Sequence, residues 1–501
     1  MTYVIITGII RTKDFEKRLN ALSFFEIWLN KPKFLLWKDL VKISIVGAGI
    51  SGLATAQAVL TRKPDAEITI FEADQRIGGK VWTEVSPDGY LCEGGVNGFL
   101  DKIPRTLELC KEVGVSPLPA DASAQKRYVY SRGELHKLPE KPPQFLKSRL
   151  LSVPGRLRVI YEIIAGGTDN PDETLAQFAT RRLGSEAFDR LIDPMASGVF
   201  AGNANELSLK SCFPRIHEIE TQYGSLIRGL IKLQKKAKRE GNKNTPGPGP
   251  GGTLTSFDNG MSALTDSLAE QLDPRIRTAS PIRDIDRSGD RYVLQLDDGT
   301  EEESENLILA APAHAQAKML KALDPALAGL LGEIPYPALS VVCFGYRKQR
   351  VGQVLDGFGF LIPSKEQRTV LGTIIDSNVF SGRAPEDSIL LRSMVGGART
   401  PEYALLPDEQ IVDRVRSDLQ DILELKAEPD FIRIFRHKRA IPQYVVGHAA
   451  RLEAIDKQLQ RHPGLVLTGN AFKGVSLNDC VVNAWKTAQT LAPEPQNVGK
   501  T

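Results

Sequence analysis

Apolar residues recur along this chain with two periods, and the period changes from one stretch to the next. Lys42 to Val46 is nearly continuous in apolar residues (Ile43, Ile45, Val46), the pattern of a strand buried on both faces. A glycine turn follows, then apolar residues at helical spacing as far as Leu60. Glu67 to Phe71 (EITIF) reads as a second strand. From Ile103 to about Gly252 helical spacing dominates, beginning with IPRTLELCKEVGV, which has Pro104 in its first turn and Gly114 near its end. Inside that stretch, RYVY and its return strand predict a hairpin turning at Ser131-Arg132-Gly133. Gln144 to Ile164 interleaves Leu150, Leu151, Val153, Leu157, Val159 and Ile160 with Lys147, Arg149, Arg156 and Arg158. That predicts an amphipathic basic helix whose apolar side meets either a core or a membrane surface. PDETLAQFATRRLG starts another helix near Asp172 or Glu173.

Beyond Thr255 the pattern alternates. GMSALTDSLAEQL predicts a helix. SPIRDIDRSGDRYVLQLDDGTEEESENLILAAP predicts three short strands with turns at Ser288-Gly289-Asp290 and Asp297-Asp298-Gly299. Residues 335 to 440 mix strands (LSVVCFGY, GFGFLIP, LLRSMVG) with a helix from Glu409 to Leu425. GLVLTGNAFKGVSLNDCVVNAWKTAQTL predicts a strand, a Gly469-Asn470 turn, a second glycine at Gly474 and a helix from about Leu477.

The first turn carries chemistry. Gly47, Gly49 and Gly52 form G-x-G-x-x-G between a strand and a helix. The first glycine permits the tight turn, the second lets backbone approach a pyrophosphate, and the third packs helix on strand. The helix N-terminus offers N–H groups and positive dipole to the phosphates. Glu72, at the end of the second strand, is placed to accept hydrogen bonds from a ribose hydroxyl pair. These features predict dinucleotide binding. A helix starting near Leu477 would bring a second positive dipole to such a site.

Composition narrows the field. The 501 residues suffice for two or three domains. A net charge of +3 is too small to point to nucleic acid. Five scattered cysteines without a C-x-x-C pair, and six histidines without ligand spacing, argue against a metal site and a disulfide framework. The uncharged run from Ile43 to Thr61 is long enough for a membrane span, but its glycines and Rossmann pattern assign it to a nucleotide fold. Residues 1–40, with the aromatic-rich FFEIWLNKPKFLLW, read as a disordered extension or as an interfacial anchor through Trp28 and Trp37. GNKNTPGPGPGG reads as a mobile loop.

After Glu72, ADQRIGGKVWT adds an arginine and a glycine pair, and the chain then resembles the FAD-binding signature of the amine oxidase and phytoene desaturase superfamily. Further motifs narrow the likeness: AQKRYVY, GVFAGN, LSLKSCFP, GFGFLIPSKE, IPQYVVGH and GVSLNDC. With these, residues 42 to 495 resemble the oxygen-dependent, FAD-dependent protoporphyrinogen oxidase family. The resemblance implies an α/β fold: a glutathione-reductase-type Rossmann FAD domain, an α+β substrate domain and a mainly helical, membrane-associating domain. Its implied boundaries are an N-terminal extension (1–40), FAD-binding parts at 41–105, 255–330 and 441–501, the helical domain at 106–254, and the substrate domain at 331–440.

The resemblance also implies non-covalent FAD held by Gly47, Ala48, Gly49, Ile50, Ser51, Gly52, Glu72, Ala73, Arg76, Lys80, Gly95, Val96, Asn97, Gly98, Ile282, Val475, Ser476 and Leu477. It implies a porphyrinogen bound by Arg127, through a propionate, and by Gly198, Leu361, Leu371 and Met394 against its rings. Met394 departs from the aromatic common at that family position. The implied reaction, on the path to haem and chlorophyll, removes six electrons in three hydride transfers to the flavin. O2 reoxidises the flavin and gives H2O2, with no side-chain acid or base required. Implied partners are a peripheral membrane contact, a homodimer and a ferrochelatase, and the implied location is the cytoplasm or the inner face of its membrane. Two other readings stay open: a coproporphyrinogen III oxidase, and an amine oxidase. Covalent-flavin amine oxidases need a cysteine that FRHKRAIPQY lacks. A non-catalytic flavin-binding protein is the reading from another class.

Overall fold

The computed structural model of this chain describes residues 42–139, 142–239, 252–351 and 355–491. Residues 1–40 and most of the Pro/Gly segment lie outside these stretches, so the expectations for them do too.

The strand Lys42–Val46 is central to a five-stranded sheet ordered Ile276–Arg277, Glu67–Phe71, Lys42–Val46, Asn306–Leu309, Leu465–Leu467. All four pairings are parallel. A parallel sheet must be covered on both faces, and these strands are apolar on both. Ile43, Ile45 and Ile308 pack under the helices Ile50–Arg62, Ser262–Leu272 and Leu477–Leu491. Leu307 and Leu309 face the other way, against the meander Ile282–Ser288, Arg291–Leu296, Glu301–Ser304 and the helix Pro325–Gly332. Three separated stretches of sequence therefore build one sheet.

A second sheet has seven strands, ordered Phe431–His437, Leu339–Arg347, Ser388–Gly396, Val370–Ile375, Gly359–Leu361, Arg127–Ser131, Glu134–Lys137. Helix Asp408–Leu423 covers one face through Ile411, Val415 and Leu419. The hairpin Arg127–Lys137 departs from the expected boundaries. It was assigned to the helical stretch, but it completes this sheet because Gly359–Leu361 pairs with it in parallel. Arg132 (φ 57°) and Gly133 (φ 79°) both turn left-handed, which suits a two-residue hairpin.

The third region is helical. Leu175–Leu183, Asp193–Phe200, Pro214–Tyr223 and Leu226–Arg239 surround an apolar core crossed by buried charge. Arg182, 1% exposed, donates to Glu220 Oε1 at 2.6 Å and to Ala165 O at 2.7 Å. Glu162 caps the basic helix by accepting from Leu226 N at 2.7 Å. The single helix expected over Gln144–Ile164 is three short ones: Pro142–Lys147, Val153–Ile160 and Tyr161–Ile164. The break comes at Ser152, which accepts from Gly155 N, with Pro154 in the next helix's first turn. Arg158, counted with the basic face, instead donates to Arg182 O (2.8 Å) and Arg181 O (2.5 Å), closing the end of helix Leu175–Leu183.

Candidate functional site

The site begins at the C-terminal ends of the parallel strands, where sheets of this kind bind ligands. A Cβ added at Gly52 would lie 1.9 Å from Gly47 O, so helix and strand approach as only glycine allows. At Gly49 the nearest atom would be Gly79 Cα at 3.9 Å, an ordinary van der Waals contact with the Gly78-Gly79 turn. Gly49 caps the helix Ile50–Arg62 without a side-chain hydrogen bond, and no acidic residue occupies its first turn. Ala48, Ile50 and Ser51 complete the loop, and Cys480 on helix Leu477–Leu491 hydrogen-bonds Ser51. This cradle suits a pyrophosphate.

Glu72 accepts from Ala48 N (2.7 Å) and Asp74 N (3.1 Å), which ties the second strand to the glycine loop. Each carboxylate oxygen retains a lone pair for a ribose hydroxyl. Ala73 is exposed beside it. Ile282 is near by connection, since Ser280 N donates to Glu72 O at 2.8 Å. Arg76, among the residues implied to hold FAD, is engaged with the turn itself. Its guanidinium donates to Ile77 O (2.8 Å), Gly79 O (2.5 Å) and Val81 O (3.2 Å) and lies 4.5 Å over the Trp82 ring. It shapes the Gly78-Gly79 turn. Lys80 follows the turn, and it donates to Arg439 O at 2.7 Å. Burial pulls its ammonium down to about 8.

The loop Gly95–Gly98 runs beside this turn. A Cβ at Gly95 would fall 2.1 Å from Lys80 O, and one at Gly98 2.7 Å from Thr255 O. Val96 packs on the main core. Both amide atoms of Asn97 are buried with no hydrogen-bond partner. Such an orphaned amide is costly unless a ligand completes it, so the residues present fit a bound flavin. At the far end, Ser476 and Asp479 cap helix Leu477–Leu491 reciprocally, with Asp479 N donating to Ser476 Oγ at 3.1 Å and Ser476 N to Asp479 Oδ2 at 3.1 Å. Leu477 joins the core of the dinucleotide helix, whereas Val475 packs on the helical region.

Four of the five proposed substrate residues lie on one face of the seven-stranded sheet, and Gly198 meets that face from a helix. Leu361 pairs with Gly372, and Gly372 pairs with Met394. Met394 and Leu371 pack with Ala201, Leu339 and Ala440. Gly198, exposed on helix Asp193–Phe200, lies against Leu361. Arg127 pairs with Gly359, two residues or about 7 Å along the strand from Leu361 on the same face. Its guanidinium carbon is 5.2 Å from the Phe358 ring. Asp193 fixes the helix to the sheet edge: it accepts from Ser364 N at 2.8 Å and pairs with Arg399.

Sequence reading missed the charges beneath the flavin loop. Glu93, fully buried, accepts from Thr83 Oγ1 and Met261 N, both at 2.7 Å, and burial pushes it up to about 7. Arg392 reaches the same loop from the sheet. The available signal was an arginine amid the apolar strand LLRSMVG.

A glycine cradle on a parallel sheet, joined to a second sheet of seven strands, suits a flavin-dependent oxidoreductase, and the comparisons place it more closely. Residues 50–492 match the family of flavin containing amine oxidoreductases. The chain belongs to that family. It is similar to a chloroplastic protoporphyrinogen oxidase of Nicotiana tabacum, 33% identical over 469 residues, covering 89% of this chain and 84% of that protein. It is also similar to the coproporphyrinogen III oxidase of Bacillus subtilis (strain 168), 30% identical over 454 residues, covering 88% and 95%. A solved structure from Exiguobacterium sp. 255-15, assigned provisionally as a protoporphyrinogen oxidase, superposes with a TM-score of 0.78 at 26% identity, covering 92% and 100%.

Proposed function

We propose that this protein binds FAD non-covalently and oxidises protoporphyrinogen IX to protoporphyrin IX in tetrapyrrole biosynthesis. The observation that carries the reading is the apolar face of Gly198, Leu361, Leu371 and Met394, with Arg127 at its edge and the flavin loop beside it. Its relatives in the family include enzymes named for this substrate. When bound, the flavin supplies the hydride acceptor and returns the electrons to O2 as H2O2. The chain's own residues orient and enclose. Arg127 holds a propionate through a charge-assisted, bidentate pair. Leu361, Leu371 and Met394 pack on the pyrrole rings and exclude water from the bridging carbons that lose hydride. The Gly47–Gly52 loop holds the pyrophosphate, Glu72 the ribose, Lys80 a phosphate charge and Asn97 the isoalloxazine edge.

A second reading is coproporphyrinogen III oxidation, favoured by the Bacillus subtilis relative, which is matched over 95% of its length. The decisive experiment offers both porphyrinogens to the FAD-loaded protein in air and follows porphyrin fluorescence. Faster turnover of protoporphyrinogen supports the first reading, faster turnover of coproporphyrinogen the second, and turnover of neither sinks both.

The proposal includes a peripheral membrane contact on the cytoplasmic side. No helix among the described residues is long and apolar enough to cross a bilayer. Leu146, Val153, Leu157, Ile160, Tyr161 and Ile164 are exposed together on the short helices of the helical region. Lys147, Arg149 and the basic helix Leu226–Arg239 accompany them. Apolar anchors ringed by lysine and arginine suit an anionic lipid surface. Domain boundaries follow the assignment above, with the 127–137 hairpin moved to the substrate domain. A homodimer and a ferrochelatase partner remain part of the proposal, and co-sedimentation of the purified proteins tests them.

A further inference from the structure

Four charged side chains lie buried between the flavin loop and the substrate sheet: Glu93, Asp376, Arg383 and Arg392, none more than 2% exposed. Arg392 sits on the strand Ser388–Gly396, two residues before Met394 and on the same face. Its Nε donates to Asp376 Oδ2 at 2.9 Å. Its Nη1 crosses to the loop and donates to Gly95 O at 3.2 Å and, more weakly, to Glu93 O at 3.4 Å. Arg392 Nη2, two residues in sequence terms from the strand position of Met394, has no partner and no exposure. Arg383 holds a different neighbourhood: Ser256 Oγ at 2.7 Å and Phe257 O at 3.2 Å, with Glu93 4.0 Å away.

A buried arginine with three points of attachment is costly to place unless each is met. Here the attachments are divided between the sheet and the loop, which also meet where His437 Nε2 lies 2.7 Å from Gly94 O, nearer the sheet's edge. A shift of the Met394 strand therefore moves the carbonyl end of Gly95, next to the orphaned Asn97 amide. The buried guanidinium is a rigid planar fork, so displacement at one end is carried to the other rather than absorbed in a flexible stem.

We propose that Arg392 is a positioning residue that couples the substrate-bearing face of the sheet to the Gly95–Gly98 loop, setting the geometry of the flavin site and reporting substrate occupancy to it. The inference rests on the flavin and substrate assignments made above. It assigns Arg392 no contact with substrate and no part in hydride transfer.

The test uses the apoprotein titrated with FAD and the holoenzyme titrated with protoporphyrin IX, read by flavin fluorescence and visible absorption. In the wild type, FAD binds and porphyrin perturbs the flavin spectrum. Arg392→Gln raises the FAD dissociation constant roughly tenfold or more, the size of a lost hydrogen bond to a charged group, and abolishes the porphyrin-induced spectral change. Arg383→Gln lowers thermal stability comparably but leaves FAD affinity within about twofold. That contrast separates positioning from mere burial. Should Arg392→Gln fail to fold, Arg392→Lys decides, because an ammonium cannot hold Asp376 and the loop together. FAD affinity and porphyrin response unchanged in the folded variant would overturn the proposal. A wild type that binds no FAD would instead remove the reading on which it rests.

Discussion

Leu361 and Gly198 are in contact as closely as their chemistry permits: a Cβ on Gly198 would lie 2.7 Å from Leu361 Cδ2. Gly198 is helical, so alanine there favours the helix by about 1 kcal/mol. The methyl must nevertheless push the Leu361 side chain along the apolar face. Gly198→Ala should therefore melt no lower than wild type while its KM for porphyrinogen rises about tenfold, equivalent to roughly 1.4 kcal/mol. Thermal melting and steady-state kinetics on one preparation check this. A fall in melting temperature with KM unchanged would assign Gly198 to packing alone.

Arg127 lies one strand from Leu361 on the same face. A hydrogen bond to a charged group contributes about 1.5–3 kcal/mol, so Arg127→Ala should raise KM roughly 10- to 100-fold with a smaller effect on kcat. Arg127→Lys should recover only part, since an ammonium cannot bind a carboxylate bidentately. Equal kinetics in all three proteins would remove the propionate role.

Much of this arrangement was legible in the residues themselves. Strand, glycine turn, helix and Glu72 announced the parallel sheet, because a doubly covered strand must be apolar throughout and a phosphate cradle needs glycine. The helical region was harder. Ser152 and Pro154 split one amphipathic stretch into pieces, and the hydrophobic period continues across the break. The hairpin Arg127–Lys137 gave local strand signals but no hint of its partner, since the pairing with Gly359–Leu361 spans more than two hundred residues. The motif around Arg76 was recognisable, but the commitment of its donors to the turn carbonyls is a three-dimensional fact. Arg392 was passed over because charge within an apolar strand acquires meaning only when Gly95 and Asp376 are seen beside it.

Gly52 faces backbone rather than a flexible side chain, with Gly47 O only 1.9 Å from its virtual Cβ. Neither atom can yield without opening the turn between strand and helix. Gly52→Ala should yield protein lacking flavin colour and with a lowered melting temperature that excess FAD does not restore. Absorbance at purification and melting with and without FAD check this. A yellow, fully stable variant would remove the close-packing argument for the third glycine.

Lys80, proposed above to meet a phosphate of the cofactor, would link pH to cofactor affinity. Burial lowers its pKa from 10.5 to about 8. In the apoprotein the folded state thus binds fewer protons than the unfolded state between about 8 and 10.5, and stability gains from this group as pH rises through that window. Binding an anionic pyrophosphate has the opposite requirement, since it favours the charged ammonium. FAD affinity should be flat below about pH 8 and weaken by up to tenfold per pH unit above it. Lys80→Met should lower affinity at pH 7 and flatten the profile. FAD titrations from pH 6.5 to 9.5 distinguish these cases, and an identical slope in wild type and variant would assign the pH dependence to another group.

The exposed apolar cluster makes the most direct claim about where the protein works. Leu157 is 61% exposed and Ile164 63%, on neighbouring short helices that Val159 and Glu162 anchor in the helical core. Burying one such side chain in an apolar medium contributes about 1.5–3 kcal/mol, and each nearby lysine or arginine adds about 1 kcal/mol at an anionic surface. Replacing both anchors, as Leu157→Asp with Ile164→Asp, should lower partitioning onto vesicles containing anionic lipid by roughly 100-fold or more. Catalysis on soluble porphyrinogen and the melting temperature should stay near wild type, because neither residue contributes to the core. High salt should weaken wild-type binding to anionic vesicles but not the residual binding to neutral ones, since only the basic component is screened. Vesicle sedimentation of the two proteins decides the matter: equal partitioning would leave this apolar face without a membrane role.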